Sequence, residues 1–176
     1  MEVLQIGLGW RDRVRIPTTL LREIGDTPPW LDDLLDTLSA KASWVVDHSV
    51  RVAAINAALA LSLGLERQDA IHAGLAHDVG KIETPISILE VPILDDEQRG
   101  ILDEHPSRGQ ELIGAHDTLI AAIVSTHHAF QPRPYPHGVL IGRRDGSLYK
   151  FQMAVALADQ VDASTSDRPG SIAKCP

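Results

Sequence analysis

The chain has 176 residues, 16 Lys plus Arg against 24 Asp plus Glu, and a formal net charge of −8. That length suits about one domain with one sizeable core, and an apolar fraction of 44% excludes a disordered chain. The acidic balance argues against a nucleic-acid duplex or an anionic membrane as main partner, and a single cysteine, Cys175, excludes a disulfide framework and Cys-rich metal sites.

In chain order, the start MEVLQIGLGWRDR lacks a basic region followed by an apolar stretch, so no signal peptide is read there. Its segment VLQIGLGW (3–10) is strand-like. Residues 1–30 read as an N-terminal segment and 31–176 as the main domain. Thr27-Pro28-Pro29 ahead of WLDDLLDTLSA marks a helix start, with prolines in the first turn. Val45, Val46, Val50, Ala53, Ala54, Ala57 and Leu61 recur near helical spacing and predict a helix over about 43–63, with Gly64 as its C-cap. The longest apolar run, 52–65, has 14 residues, short of the roughly 20 that span a bilayer. A cytoplasmic protein is the expectation.

ERQDAIHAGLAHDVG restarts a helix. LDDEQRGILDEH opens with acidic residues, as the helix dipole prefers. HPSRGQELIG and DTLIAAIVSTHH predict two shorter helices, and LYKFQMAVALADQVDAS a last long one. GVLIGRRDGSLYK (138–150) is strand-like, with a turn at Arg-Asp-Gly. Residues 129–147 form one long irregular connection, a length usually functional or disordered.

Eight histidines in this chain matter through their neighbours. His77-Asp78 and His127-His128 close helices, His48 lies within one, His105 precedes Pro106, and Asp159 lies in the last helix. Adjacent helical residues diverge by about 100°, so such a pair addresses two neighbouring ions better than one. A carboxylate, with two oxygens, is the natural bridge. Imidazole plus carboxylate without thiolate suits iron, manganese, cobalt, nickel or zinc. His72, His116 and His137 read as surface or structural residues.

The pieces HSVRVA (48–53), AHDVGKI (76–82), ISILEVPILDDEQRGILDEHPSRGQELI (86–113), STHHAF (125–130) and ALADQVDASTSDRP (156–169), in that order, resemble the HD superfamily of metal-dependent phosphohydrolases. Within it they look most like the HD-GYP branch of cyclic di-GMP phosphodiesterases. The resemblance implies an all-α HD-domain bundle of about 6–8 helices with one long irregular loop. It implies metal ligands at His48, His77, Asp78, His105, His127, His128 and Asp159, with Asp78 bridging two divalent ions, iron or manganese first. A hydroxide between the ions is then the nucleophile, and Lys81 contacts a substrate phosphate.

The chain departs from that pattern in three places. Trp44 stands where some members carry a glutamate for a third metal, so two ions are expected; the neighbouring Asp47 points elsewhere. The loop HHAFQPRPYP replaces HHE…GSGYP, with Ala129 for the acid and Pro134 for a glycine, although Tyr135-Pro136 survives. Asp167-Arg168-Pro169 keeps Arg168 as a candidate for guanine or phosphate but lacks the Tyr that follows in the family. The resemblance therefore implies a phosphodiesterase of cyclic di-GMP, with Tyr135 and Arg168 joining Lys81 at the substrate. A phosphohydrolase of another nucleotide or phosphoester is the alternative, and a non-catalytic nucleotide-binding or protein-interaction module a third reading. The partner is a small anionic nucleotide, and a homodimer or a regulatory protein is compatible with it.

Overall fold

Helices succeed one another through the computed structural model, which describes residues 9–15 and 18–166. They are α1 (Trp10–Arg13), α2 (Thr18–Ile24), α3 (Pro29–Leu63), α4 (Arg67–Ala76), α5 (Ile86–Leu89), α6 (Asp96–Leu102), α7 (His105–Gly114), α8 (Thr118–Val124) and α9 (Ser147–Thr165), with a 3-10 turn at Val79–Ile82. Seven of the helices run seven residues or more, and no strand occurs among the described residues. This is the expected all-α bundle.

The two helix signals before and after residue 42 are one element. Helix α3 starts with Pro29 at its first position and runs 35 residues. It bends at Ala42, whose φ of −151° and ψ of 77° leave the helical region. Leu31, Leu35 and Leu38 are buried before the bend, and Val46, Val50, Ala53, Ala57 and Ala60 after it. The steps of three and four on each side of the bend make a buried stripe in each half. By length and composition alone α3 is long and apolar enough to cross a membrane, yet 56% of its most apolar window is buried inside the bundle.

Small residues set the spacing of the α3–α4 pair. A Cβ on Gly74 would lie 2.5 Å from the Cα of Ala53, so only glycine permits this approach. Gly64 ends α3 with φ 66° and ψ 39°, the left-handed cap expected there. Helix α6 begins with a full capping box, Asp95 to the Gln98 amide and Gln98 back to Asp95. At the N-terminal end, Trp10 and Ile24 join the same core.

The strand expectation for 138–150 fails, and the one for 3–10 cannot be followed along most of its length. Most of VLQIGLGW lies outside the described residues, and Trp10 begins a helix. In 138–150 no second strand lies alongside. A buried side chain serves its backbone instead: Gln152 accepts from the Gly142 amide at 2.9 Å and donates to the Leu140 carbonyl at 2.9 Å and the Ala122 carbonyl at 3.2 Å. From Ser147 on the segment is already helix α9. Residues 129–146 are the long irregular connection the sequence indicates.

Candidate metal centre

Three histidines reach the centre by the same local device. The last carbonyls of a helix have no partner within it. His77 lies just beyond α4, His105 three residues beyond the end of α6, and His127 three residues beyond the end of α8. Each points its Nδ1 at the carbonyl three residues back: Gly74 at 2.8 Å, Leu102 at 2.7 Å and Val124 at 2.6 Å. That bond places the Nδ1 proton and turns Nε2 inward as a free donor atom.

The inward atoms form two adjacent groups, each able to hold an ion: His48, His77 and Asp78, and His105, His127 and His128. The Nε2 atoms of His48 and His77 are 3.2 Å apart, and those of His105 and His127 3.1 Å apart. Donors about 2.1 Å from a shared cation stand about 3.0 Å apart in an octahedron and 3.4 Å in a tetrahedron. The residues therefore fit divalent metal, and the absence of thiolate fits iron, manganese or zinc.

Asp78 joins the two groups. Its Oδ1 faces His105 at 3.2 Å and His127 at 3.9 Å, while its Oδ2 faces His77 at 3.4 Å and His48 at 3.8 Å. Asp159 places Oδ1 3.1 Å from His48 Nε2 and Oδ2 4.0 Å from His128 Nδ1. Lys81, one turn after Asp78, sets its ammonium 2.6 Å from Asp78 Oδ2.

The protonation states suit a cation. Burial alone would keep the carboxyl of Asp78 neutral, but His77 and Lys81 overcome it and hold the group well below the usual range. Asp159 is likewise held low against its burial, chiefly by the hydrogen bond from His48. Burial and neighbouring imidazoles push His127 well down, and burial pushes His128 down to about 3. His105 is lowered by burial and Lys81. These rings are neutral near pH 7, as metal ligands must be. His77 differs: the carboxylates of Asp78 and Asp159 outweigh its burial and raise it.

All seven sequence-nominated ligands thus meet in one place, with Lys81 beside them. Tyr135 stacks on His128, ring centroids 4.5 Å apart, and burial raises its phenol. Arg168 lies outside the described residues. Trp44 packs against the core, and Asp47 accepts from the Arg15 amide. His116 stacks on Trp30, and His72 bonds Gln68. Three contributors were missed. Asp162 holds His48 Nδ1 at 2.6 Å, Arg51 pairs with Asp162, and Gln131 bonds His128. The signal for Asp162 was its place one turn after Asp159, on the same helix face.

The family described as "HD domain" matches residues 45–164. Over 130 residues the chain is 35% identical to a cyclic di-GMP phosphodiesterase of Pseudomonas aeruginosa, covering 69% of this chain and 30% of that protein. It is 27% identical over 143 residues to a 3′3′-cGAMP-specific phosphodiesterase of Vibrio cholerae, covering 77% and 32%. It is also 34% identical over 123 residues to ribonuclease Y of Pseudothermotoga lettingae, covering 66% and 21%. The chain thus spans a third or less of the length of these relatives. Two of them act on cyclic dinucleotides by name, consistent with the HD-GYP-like branch. With the family match running through most of the sequence and enclosing all seven candidate ligands from His48 to Asp159, the chain belongs to the HD domain family.

Proposed function

We propose that this chain is a binuclear-metal phosphohydrolase, and that its substrate is a cyclic dinucleotide, cyclic di-GMP first. The observation that carries the reading is the split of Asp78: its two oxygens address two adjacent groups of donors, as a carboxylate shared by two cations does. Two divalent ions there would activate water and neutralise charge on a phosphodiester. The protein's own part is to hold them, through His48, His77, Asp78 and Asp159 on one side and His105, His127 and His128 on the other. Lys81 supplies a point charge for a phosphate oxygen, and Tyr135 borders the site where a base or ribose would rest. Arg168 is kept as a further substrate contact.

The cyclic-dinucleotide phosphodiesterases among the relatives support this substrate. The ribonuclease Y relatives support a second reading, an RNA phosphodiester, against which the net charge of −8 weighs. We assign the catalytic unit to residues 31–176, with 1–30 as a segment that lends Trp10 and Ile24 to its core. A cytoplasmic site of action is part of this proposal.

The test is hydrolysis by the purified chain with Mn(II) or reduced iron, offered cyclic di-GMP, 3′3′-cGAMP and single-stranded RNA in parallel, with metal counted by anomalous scattering. Two ions per chain and cleavage of a cyclic dinucleotide, both lost in Asp78→Ala, are expected. Cleavage of RNA alone would transfer the assignment to the second reading. Metal-free protein with no turnover would favour a binding module.

A further inference from the structure

His48 is held differently from the other metal-facing histidines. It lies inside α3, where every carbonyl is engaged along the helix, so the carbonyl device of His77, His105 and His127 is closed to it. Its Nδ1 instead meets Asp162 Oδ2 at 2.6 Å. Asp162 is 2% exposed and carries its own counter-charge: Arg51 Nε bonds Oδ1 at 2.6 Å and Nη2 bonds Oδ2 at 3.1 Å. His48 and Arg51 are three apart on α3, Asp159 and Asp162 three apart on α9. One turn of each helix therefore faces one turn of the other through four polar side chains.

We propose that Asp162, backed by Arg51, is a positioning residue that makes the His48 half of the centre the tighter cation site, so that the two halves load in order. The inference rests on the two-cation reading above. A carboxylate behind an imidazole fixes the ring and raises its strength as a donor more than a neutral carbonyl does. The other half lacks such backing: His105 and His127 bond carbonyls and His128 bonds Gln131. Asp159 adds to the asymmetry, 3.1 Å from His48 against 4.0 Å from His128. Asp78 is shared between the halves, and Lys81, bound to its Oδ2 on the His48 side, offsets part of this advantage without removing it.

The experiment titrates the metal-free full chain with Mn(II) by calorimetry, with bound metal counted independently. Wild type binds in two steps at least tenfold apart. His105→Ala loses the weaker step. Asp162→Asn keeps an acceptor for Nδ1 but drops the charge, and weakens the first step by about 10–100-fold while the second stays within threefold. Arg51→Met removes the counter-charge together with its two hydrogen bonds to Asp162, leaves the bond of Asp162 to His48, and keeps the first step as tight or tighter. That opposite response separates positioning by charge from a merely structural role. Should Asp162→Asn fail to fold without metal, Asp162→Glu decides, keeping the tight step if the charge is what matters. Two equal steps in wild type, an unchanged first step in Asp162→Asn, or an Arg51→Met loss as large as that of Asp162→Asn overturns the proposal. A wild-type chain that binds no metal overturns the two-cation reading instead.

Discussion

Gly80 stands between the two parts of the centre, and replacing it with alanine tests how they are held together. A Cβ at this position would lie 1.9 Å from the His105 carbonyl oxygen and 2.6 Å from the Gly109 amide nitrogen. Ordinary contact begins near 3.4 Å, so the 3-10 turn and the start of α7 must separate by about 3.4 − 1.9 = 1.5 Å. Both obstructing atoms are backbone and cannot rotate away. Overpacking of this kind costs about 3 kcal/mol, or roughly 6–12 °C in Tm for a chain of this size. The separation also falls on the 3.2 Å approach of His105 to Asp78, and metal–ligand distances tolerate only about 0.2 Å. Calorimetric melting of the metal-free protein and metal counting read both effects. Gly100→Ala is the control: nothing lies within 4 Å of its Cβ, and in helix α6 alanine should stabilise by about 0.5–1 kcal/mol. A Gly80→Ala protein that melts within 2 °C of wild type and binds the same metal would refute the reasoning.

Gln152→Leu should destabilise by about 1–3 kcal/mol, because it strips partners from Gly142, Leu140 and Ala122; amide exchange at Gly142 should quicken while metal content holds. Pro134→Gly should raise cyclic di-GMP turnover if the proline-stiffened loop limits access, and an unchanged rate would show that the loop serves another ligand. Acid should destabilise the metal-free protein between pH 6 and 4. There His127 and His128 stay neutral when folded but protonate near 6.5 when unfolded, so stability falls as pH drops, by about 1.4 kcal/mol per pH unit for each such ring; His105, also lowered, adds to the fall with the same sign. His77, raised, is protonated in both states in that window and adds no slope; denaturant melts showing flat stability from pH 6 to 4 would contradict this. Saturation with metal at about 1,000 times its Kd should add about 4 kcal/mol, and a chelator should remove it, read as a concentration-dependent Tm.

Most helices could be read from the chain because their signals are local. Gly64, the Asp95 and Gln98 box, and Pro28-Pro29 each act within one turn. The strand-like reading of 138–150 went wrong for a non-local reason. An extended segment becomes a strand only if another backbone lies beside it, and here the partner is the side chain of Gln152, ten residues from Gly142. Asp162 and Arg51 were passed over because their value lies in meeting each other across 111 positions of sequence.

By itself the sequence determined the chemistry of the centre: which side chains could ligate, that none was a thiolate, and in what order they occur. Histidine beyond a helix end finds a free carbonyl three residues back, so even the ring orientations of His77, His105 and His127 are local consequences. The tertiary structure alone decided the rest. It set the two oxygens of Asp78 toward different groups, brought α9 against α3 so that Asp162 could hold His48, and brought the turn after Asp78 so close to α7 that residue 80 has no room for a Cβ. Those are distances between elements far apart in the chain, and packing, not spacing, sets them.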